Sequence, residues 1–376
     1  MGKRGNGEGS IWRRKSSGWC AQYTVYTSEG RKRRTLYGKT RQEVAAKLSK
    51  ALADREGGLT FDAGSLTVGE YLARWLSHSV RDTVSQTTYE RYESIVRVHL
   101  SPALGRIRLK TLTPDHVRGL YREKLDSGLA PRTVLHIHRT LSKALKQATD
   151  DGLIPRNASA SVKPPQARRE EMQPLSRDQV RTFLDTVKGD RMEALYVLAI
   201  TSGLRQGELL ALKWEDVDLE GTNPTLEVRR SLSETRGRRS FVTPKSGRGR
   251  HLRLSKRAVS ALRVHRKRQL EERVQKAGLW EDHGLIFPSE VGTPMSGRNL
   301  YRAFKIRVKR ASLPQTLRFH DLRHTCATLL LRQGINPKFV QELLGHADIS
   351  LTLNTYSHVL PDMGDAAAGG MDAALG

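Results

Sequence analysis

Cysteine is nearly absent: Cys20 and Cys326 are the two in the chain, and they lie far apart. That excludes a disulfide framework and a cysteine-rich zinc site. Long apolar runs are also missing. None approaches the ~20 residues a membrane helix needs, and Lys3-Arg4 is not followed by a signal-type hydrophobic segment. No membrane partner is expected, and a bacterial cytoplasm, at the nucleoid, is the expected location. Negative charge is scarce as well. The 39 Asp+Glu face 65 Lys+Arg, a formal net charge of +26 over 376 residues. Such a balance points to a polyanionic partner, with nucleic acid first and a ribosome-associated or merely basic protein as the bland alternative. The excess is not a tail: residues 1–60, 61–170 and 171–376 carry net +9, +7 and +10. Binding to a polyanion should therefore weaken steeply with salt.

Along the chain, residues 1–60 alternate as three short strands: Ser10 to Arg14, Trp19 to Thr27, and Arg31 to Tyr37. Thr40-Arg-Gln-Glu43 then reads as a capping box for a helix to about Glu56. Arg31, Lys32, Arg33 and Arg34 are candidate DNA contacts, although basic residues also protect a solvated edge strand. A linker follows, and residues 65–156 show four helical patterns, with Trp75 and Tyr92 assigned to the core. On the fourth, Arg132, Arg139, Lys143 and Lys146 share one side, either on phosphate or simply in solvent. Small residues, prolines and mixed charges make 157–174 an interdomain linker.

The last domain, 175–362, carries the chemistry-bearing residues. Thr201-Ser-Gly203-Leu-Arg205 ends one helix and starts another, and Glu208 sits one turn beyond Arg205, able to orient it. Alternation from Thr225 to Leu254 predicts a small antiparallel sheet, with Lys245 in a turn between its second and third strands. Arg248, Arg250, Arg298, Arg302 and Lys305 are further phosphate-contact candidates, the last three on the exposed side of a helix over 296–311. Then come His320-Asp-Leu-Arg323-His324, Leu344-Gly345-His346 and Thr355-Tyr356-Ser357-His358, interleaved with apolar residues at helical spacing. Cations that hold charge, imidazoles that move protons and a phenol that attacks suit a phosphodiester. The four-residue spacing of His320 and His324 also suits a helical zinc pair. However, Asp321 stands where that motif needs glutamate, and Arg323 would put a cation beside the metal.

These three motifs resemble the catalytic C-terminus of the tyrosine recombinases of the phage-integrase type. The resemblance implies a multidomain, mainly α fold with small antiparallel β-sheets. Its parts would be a β-sheet-plus-helix arm-binding domain (1–60), a helical core-binding domain (65–156) and a mixed α/β, mostly helical catalytic domain. It also implies a catalytic set of Arg205, Lys245, His320, Arg323 and His346 around the nucleophile Tyr356. Glu208 would support that set, while His324 and His358 would be structural. Tyr196 and Tyr301 are better explained by packing. The product would be a 3′-phosphotyrosine that keeps the bond energy, so no metal, ATP or other cofactor is implied. The partners implied are double-stranded DNA at core and arm attachment sites, a homotetramer on that DNA, and an excisionase or DNA-bending protein. The Ala/Gly-rich tail 363–376 is expected to dock on a neighbouring subunit. A type IB topoisomerase or a non-catalytic DNA binder are the competing readings.

Overall fold

Alternating and helical patterns fold here into two units, Met1–Arg169 and Glu170–Gly376, in a computed structural model. It describes residues 9–14, 17–27, 30–56, 65–167, 172–245, 247, 249–356 and 371–375. Helices dominate, and each sheet is small and antiparallel.

The first unit begins with a meander of β1 (Ser10–Arg13), β2 (Trp19–Thr27) and β3 (Gly30–Gly38). Two-residue periodicity buries Ala21 and Tyr23 of β2 against Val44, Leu48 and Ala51 of α1 (Arg41–Glu56). Gly38 lets the helix come close, since a Cβ there would lie 2.7 Å from Val44 Cγ2. The α1 start is capped reciprocally: Thr40 Oγ1 accepts from the Glu43 N–H, and the Glu43 carboxylate accepts from the Lys39 N–H.

A second core in this unit is helical. It is built by α2 (Val68–Arg74) with a wider-turned extension to Val80, α3 (Gln86–Ile95) extended likewise to Leu100, and α4 (Ser101–Leu104). α5 (Pro114–Asp126) and α6 (Pro131–Asp150) complete it. Proline opens α5 and α6 at the position where a missing N–H costs nothing. Val134, Ile137, Leu141, Ala144, Leu145 and Ala148 make the buried stripe of α6. Trp75 is buried, and its ring lies 5.6 Å from that of Tyr92. The segment expected to be linker from residue 157 differs. Ala158 and Val162 are buried in this helical core, and the Asn157 amide donates to the Ser142 carbonyl at 3.1 Å. Short apolar residues spaced by four were enough to pack, despite a composition that reads as loop.

The second unit starts with α7 (Arg177–Thr186), capped by Ser176 and Gln179, followed by α8 (Glu193–Ser202) and the short α9 (Gln206–Leu210). α8 is apolar nearly all round and almost wholly buried. It packs against helices on either side, and its Tyr196 joins Phe183, Phe304 and Phe319 in an aromatic core. β4 (Val217–Asp218), β5 (Thr225–Val228) and β8 (Arg250–Arg253) form one sheet in the order β4-β5-β8. β6 (Ser231–Thr235) and β7 (Arg238–Val242) form a separate hairpin, turned at Arg236-Gly237, both at positive φ. Four strands therefore lie between residues 225 and 254, and Lys245 falls between the third and fourth, not the second and third. Helices α10 (Lys256–Gln275), α11 (Gly297–Arg310), α12 (Asp321–Arg332), α13 (Pro337–Leu344) and α14 (Ile349–Tyr356) complete the unit. Of the tail, 371–375 is helical and exposed; the rest of 363–376, like His358 and Arg248, lies outside the described residues.

Candidate active site

The site grows from two helix ends. α8 stops at Gly203, which takes the left-handed conformation (φ +61) that glycine adopts without steric cost. The chain turns at once, so Arg205 becomes the N-cap of α9 and Glu208 its third residue. The Glu208 carboxylate accepts from the Arg205 N–H at 2.9 Å and from its Nη1 at 2.8 Å. It also accepts from both terminal nitrogens of Arg250, at 3.1 and 2.7 Å. Burial opposes the charge on Glu208, but the Arg250 hydrogen bonds and charge, with Arg205 behind them, hold its carboxyl at about 2.

The second end is that of α13, closed by Gly345 at φ +64. The last carbonyls of a helix have no intrahelical partner. Here three successive ones accept from three different arginines. Leu343 O accepts from Arg250 Nε at 3.0 Å, Leu344 O from Arg323 Nη2 at 2.7 Å, and Gly345 O from Arg205 Nη2 at 3.1 Å. Arg323 Nη1 donates to the Gly203 carbonyl at 2.7 Å, so one guanidinium joins both helix ends. Its side chain is 3% exposed. Burial, and then the Arg205 charge, lower its pKa to about 10, which leaves it a cation at neutral pH.

His346 follows directly. Its Nδ1 pairs with Thr352 Oγ1 at 2.8 Å, and its carbonyl accepts from the Gln341 amide, which fixes the ring's orientation. Burial, then Arg323 and Arg205, push its pKa down to about 4. Tyr356, at the end of α14, is 1% exposed and packs on Ala327, Leu331, Val340 and Leu344. Its hydroxyl lies 2.7 Å from Nδ1 of His324, not of His320. The His320 and His324 rings meet edge to face, with centroids 4.9 Å apart. Burial and the neighbouring His320 take His324 down to about 4, and burial with Arg323 lowers His320 as well. Burial pushes the Tyr356 phenol above its ordinary value, while Arg323 pulls it back. Neutral imidazoles and a protonated phenol make Tyr356 the donor and His324 the acceptor.

Arg205, Glu208, His320, Arg323, His346 and Tyr356 are therefore brought together, and the structure adds His324. A charge-neutral histidine beside an arginine carries no sequence signal for this partner; only the packing of Tyr356 against α12 reveals it. Among the described residues, no group of three His, Cys, Asp or Glu side chains is gathered to hold a metal. Lys245 is exposed on the turn closed by the Gly247 N–H to the Pro244 carbonyl, and among the described residues no hydrogen bond ties it to the cluster.

The expected phosphate contacts divide. Arg33, Arg34, Arg132, Arg139, Lys143, Lys146, Arg298 and Arg302 are exposed. The side chains of Arg31 and Lys32 lie outside the described residues. Lys143 sits 5.4 Å over the Tyr92 ring, Lys146 pairs with Asp150, and Arg302 donates to Asn299. Arg250 is not a surface cation: it is turned inward by Glu208 and the Leu343 carbonyl. Lys305 is likewise spent, its Nζ donating to the Gln315 and Leu317 carbonyls. Tyr301 is exposed rather than packed, with Lys305 over its ring.

Known proteins resemble the chain in sequence and in fold. The Phage integrase family matches residues 173–363, and the phage integrase N-terminal SAM-like domain matches 67–125. A XerC-like tyrosine recombinase of Caldanaerobacter subterraneus subsp. tengcongensis is 30% identical over 349 residues, 88% of each chain. An integrase of Streptomyces ambofaciens is 29% identical over 367 residues, 94% of this chain and 93% of that one. Among solved structures, the Tn1549 transposon integrase with transposon right end DNA superposes with a TM-score of 0.69. Its sequence is 24% identical, and the match covers 83% of this chain and all of that one. The lambda integrase tetramer on a Holliday junction gives 0.56 at 21% identity, covering 96% and 97%.

Proposed function

This chain belongs to the phage integrase family, and from that premise we propose that Tyr356 is the nucleophile of its strand exchange. The enzyme is a site-specific recombinase of the tyrosine type. One observation carries the assignment of residues: the Tyr356 hydroxyl is hydrogen-bonded within a cluster that also holds Arg205, Arg323 and His346.

Tyr356 Oη attacks a DNA phosphorus, and the bond to the 5′-oxygen breaks. A 3′-phosphotyrosine forms and a 5′-hydroxyl departs. Arg205 and Arg323 hold the nonbridging oxygens, each a donor of the kind that contributes about 100- to 1000-fold. His346 hydrogen-bonds the same phosphate through its other ring nitrogen. The histidine pair receives the phenolic proton on attack: His324 accepts the hydrogen bond of the Tyr356 hydroxyl in the DNA-free chain, and His320 passes the proton on. Lys245 enters from its exposed turn to protonate the leaving oxygen. Attack by a partner strand's 5′-hydroxyl reverses the step, with no metal or ATP needed for the bond exchange.

In the first unit, the basic sheet of residues 10–38 takes arm-type DNA and the helical core takes core DNA through α6. The assembly is a homotetramer that integrates or excises a phage or mobile element. An excisionase or DNA-bending protein assists, and the work is done on the nucleoid in the bacterial cytoplasm. The test uses the full chain with labelled, nicked duplex carrying the repeats that flank the coding region, in chelator. A covalent protein–DNA band that Tyr356→Phe abolishes is the expected result. A band that survives moves the nucleophile elsewhere and breaks the assignment.

A further inference from the structure

We infer that Arg250 is a positioning residue for strand cleavage. It anchors strand β8, and with it the turn that carries Lys245, to the Glu208–Arg205 pair and to the main chain that precedes His346. This rests on the recombinase reading above and adds to it a residue that touches neither the nucleophile nor, on this geometry, the phosphate.

All three guanidinium nitrogens are used: Nε on the Leu343 carbonyl at 3.0 Å, Nη1 and Nη2 on the two oxygens of Glu208 at 3.1 and 2.7 Å. The Arg250 side chain is 10% exposed, against 25% for Arg205, so of the two arginines on Glu208 it is the inner one. A phosphate would have to displace a buried carboxylate held in a fork–fork pair. Gly345 is part of the fit. A Cβ there would lie 3.0 Å from Arg250 Nη1 and 3.2 Å from its Cδ and Cζ, so glycine lets the guanidinium lie against the turn.

Arg250 thereby closes a ring through three segments remote in sequence. Glu208 holds Arg205, Arg205 holds the Gly345 carbonyl, and Arg250 holds both Glu208 and the neighbouring Leu343 carbonyl. The ring fixes where Arg205 presents its outer edge and where the backbone delivers His346. It also fixes the root of the Lys245 turn. Lys245 lies five positions before Arg250, so its Cα stays within about 17 Å of a fixed point. Lysine cannot reproduce this planar, three-pronged anchor, because its ammonium is a compact point charge without the guanidinium's fixed fork.

The test separates a strut from a phosphate contact. Full-length wild type, Arg250→Lys and Arg250→Gln are first bound to a 30-base-pair duplex of arbitrary sequence across a salt series. A strut leaves affinity within about twofold and the salt slope unchanged. A slope reduced by about one shows that Arg250 neutralises a phosphate and overturns the inference. The same proteins then react with the nicked duplex at saturating protein, in a single turnover. Adduct formation should fall about 100-fold for Gln and about 10-fold for Lys, the scale of a catalytic group displaced by about 1 Å. Because both residues serve one ring, Glu208→Gln with Arg250→Gln should be no slower than the worse single variant within about threefold. Unchanged cleavage, or losses that multiply, would overturn the inference. A fall in rate that merely tracks the folded fraction, read from circular dichroism melts, would do so too. If the Gln variant does not fold, the Lys variant carries the kinetic comparison, and Arg250→Met, uncharged and of similar length, carries the salt series. Failure of wild type to form the adduct would sink the recombinase assignment instead, and the salt series would still decide whether Arg250 meets phosphate.

Discussion

Acidification from pH 7 to 5 should destabilise the second unit by about 2 kcal/mol through two histidines. His324 and His346 are held at about 4, by burial first and then by neighbouring His320 in one case and Arg323 in the other. Unfolded, each titrates near 6.5. Between those values the unfolded chain binds protons that the folded chain refuses. Stability therefore rises with pH across this window: their contribution is complete above about 6.5 and is lost as pH falls towards 4. From pH 6.5 down to 5, one histidine loses at most about 2 kcal/mol, at 1.36 kcal/mol per unit. Both rings border solvent, so about half of that is retained after screening, giving about 1 kcal/mol each. Glu208, held at about 2, stays charged throughout and adds nothing in this window. Urea unfolding of the full chain, with second-unit fragments counted after a proteolysis pulse, reads the change. His324→Gln and His346→Gln should each flatten the pH dependence by about 1 kcal/mol. Equal wild-type stability at both pH values, or variants as steep as wild type, would refute the electrostatic account of the site.

Gly203→Ala should cost about 2–4 kcal/mol in the same assay, combining left-handed strain with overpacking. A Cβ there would lie 2.6 Å from Leu344 Cδ2, and the Gly203 carbonyl also holds Arg323, so adduct formation should fall as well; a loss under 1 kcal/mol would show that the two helix ends are not tightly fitted. Lys245→Ala should leave stability within about 0.5 kcal/mol, since the side chain is exposed, yet slow adduct formation by about 100-fold or more. A 5′-bridging sulfur leaves without a proton, so it should restore the variant; equal slowing on that substrate would remove Lys245 from the general-acid role.

Short-range signals were legible, and long-range partners were not. The capping pairs Thr67–Glu70 and Ser176–Gln179 are complete within four residues, and the sequence displays them as plainly as the hydrogen bonds do. The same holds for Gly203 before Arg205, and for Glu208 one turn on. Arg250 was misread because its partners lie 42 and 93 positions away, and a basic residue in a basic turn looks identical whether it faces phosphate or a buried carboxylate. Lys305 misled in the same way, its ammonium folded back onto carbonyls at 315 and 317. The partner of His324 is not legible in the sequence, because Tyr356 arrives from a helix 32 positions on. The extra hairpin was missed because Arg236-Gly237 turns the chain with two positive φ values, a turn the basic, glycine-containing run Arg236-Gly-Arg-Arg does not distinguish from a loop.

The manner in which the arginines are held bears on what they can still do. Two of the three guanidiniums, those of Arg205 and Arg250, meet one carboxylate, Glu208, and every other bond, including both from Arg323, goes to a main-chain carbonyl at two helix ends. A carboxylate cancels a charge, whereas a carbonyl orients a cation and leaves its net charge in place. With the three histidines neutral, Arg205, Arg250, Arg323 and Glu208 leave about two positive charges in a partly buried cluster. The Arg323 pKa, lowered to about 10 by burial and then by Arg205, records that crowding. A phosphodiester brings one negative charge, and the five-coordinate state formed by an attacking phenol adds a second. The fixed arginines thus face more negative charge in the transition state than in the ground state, which is the condition under which fixed charges accelerate a reaction instead of only tightening binding.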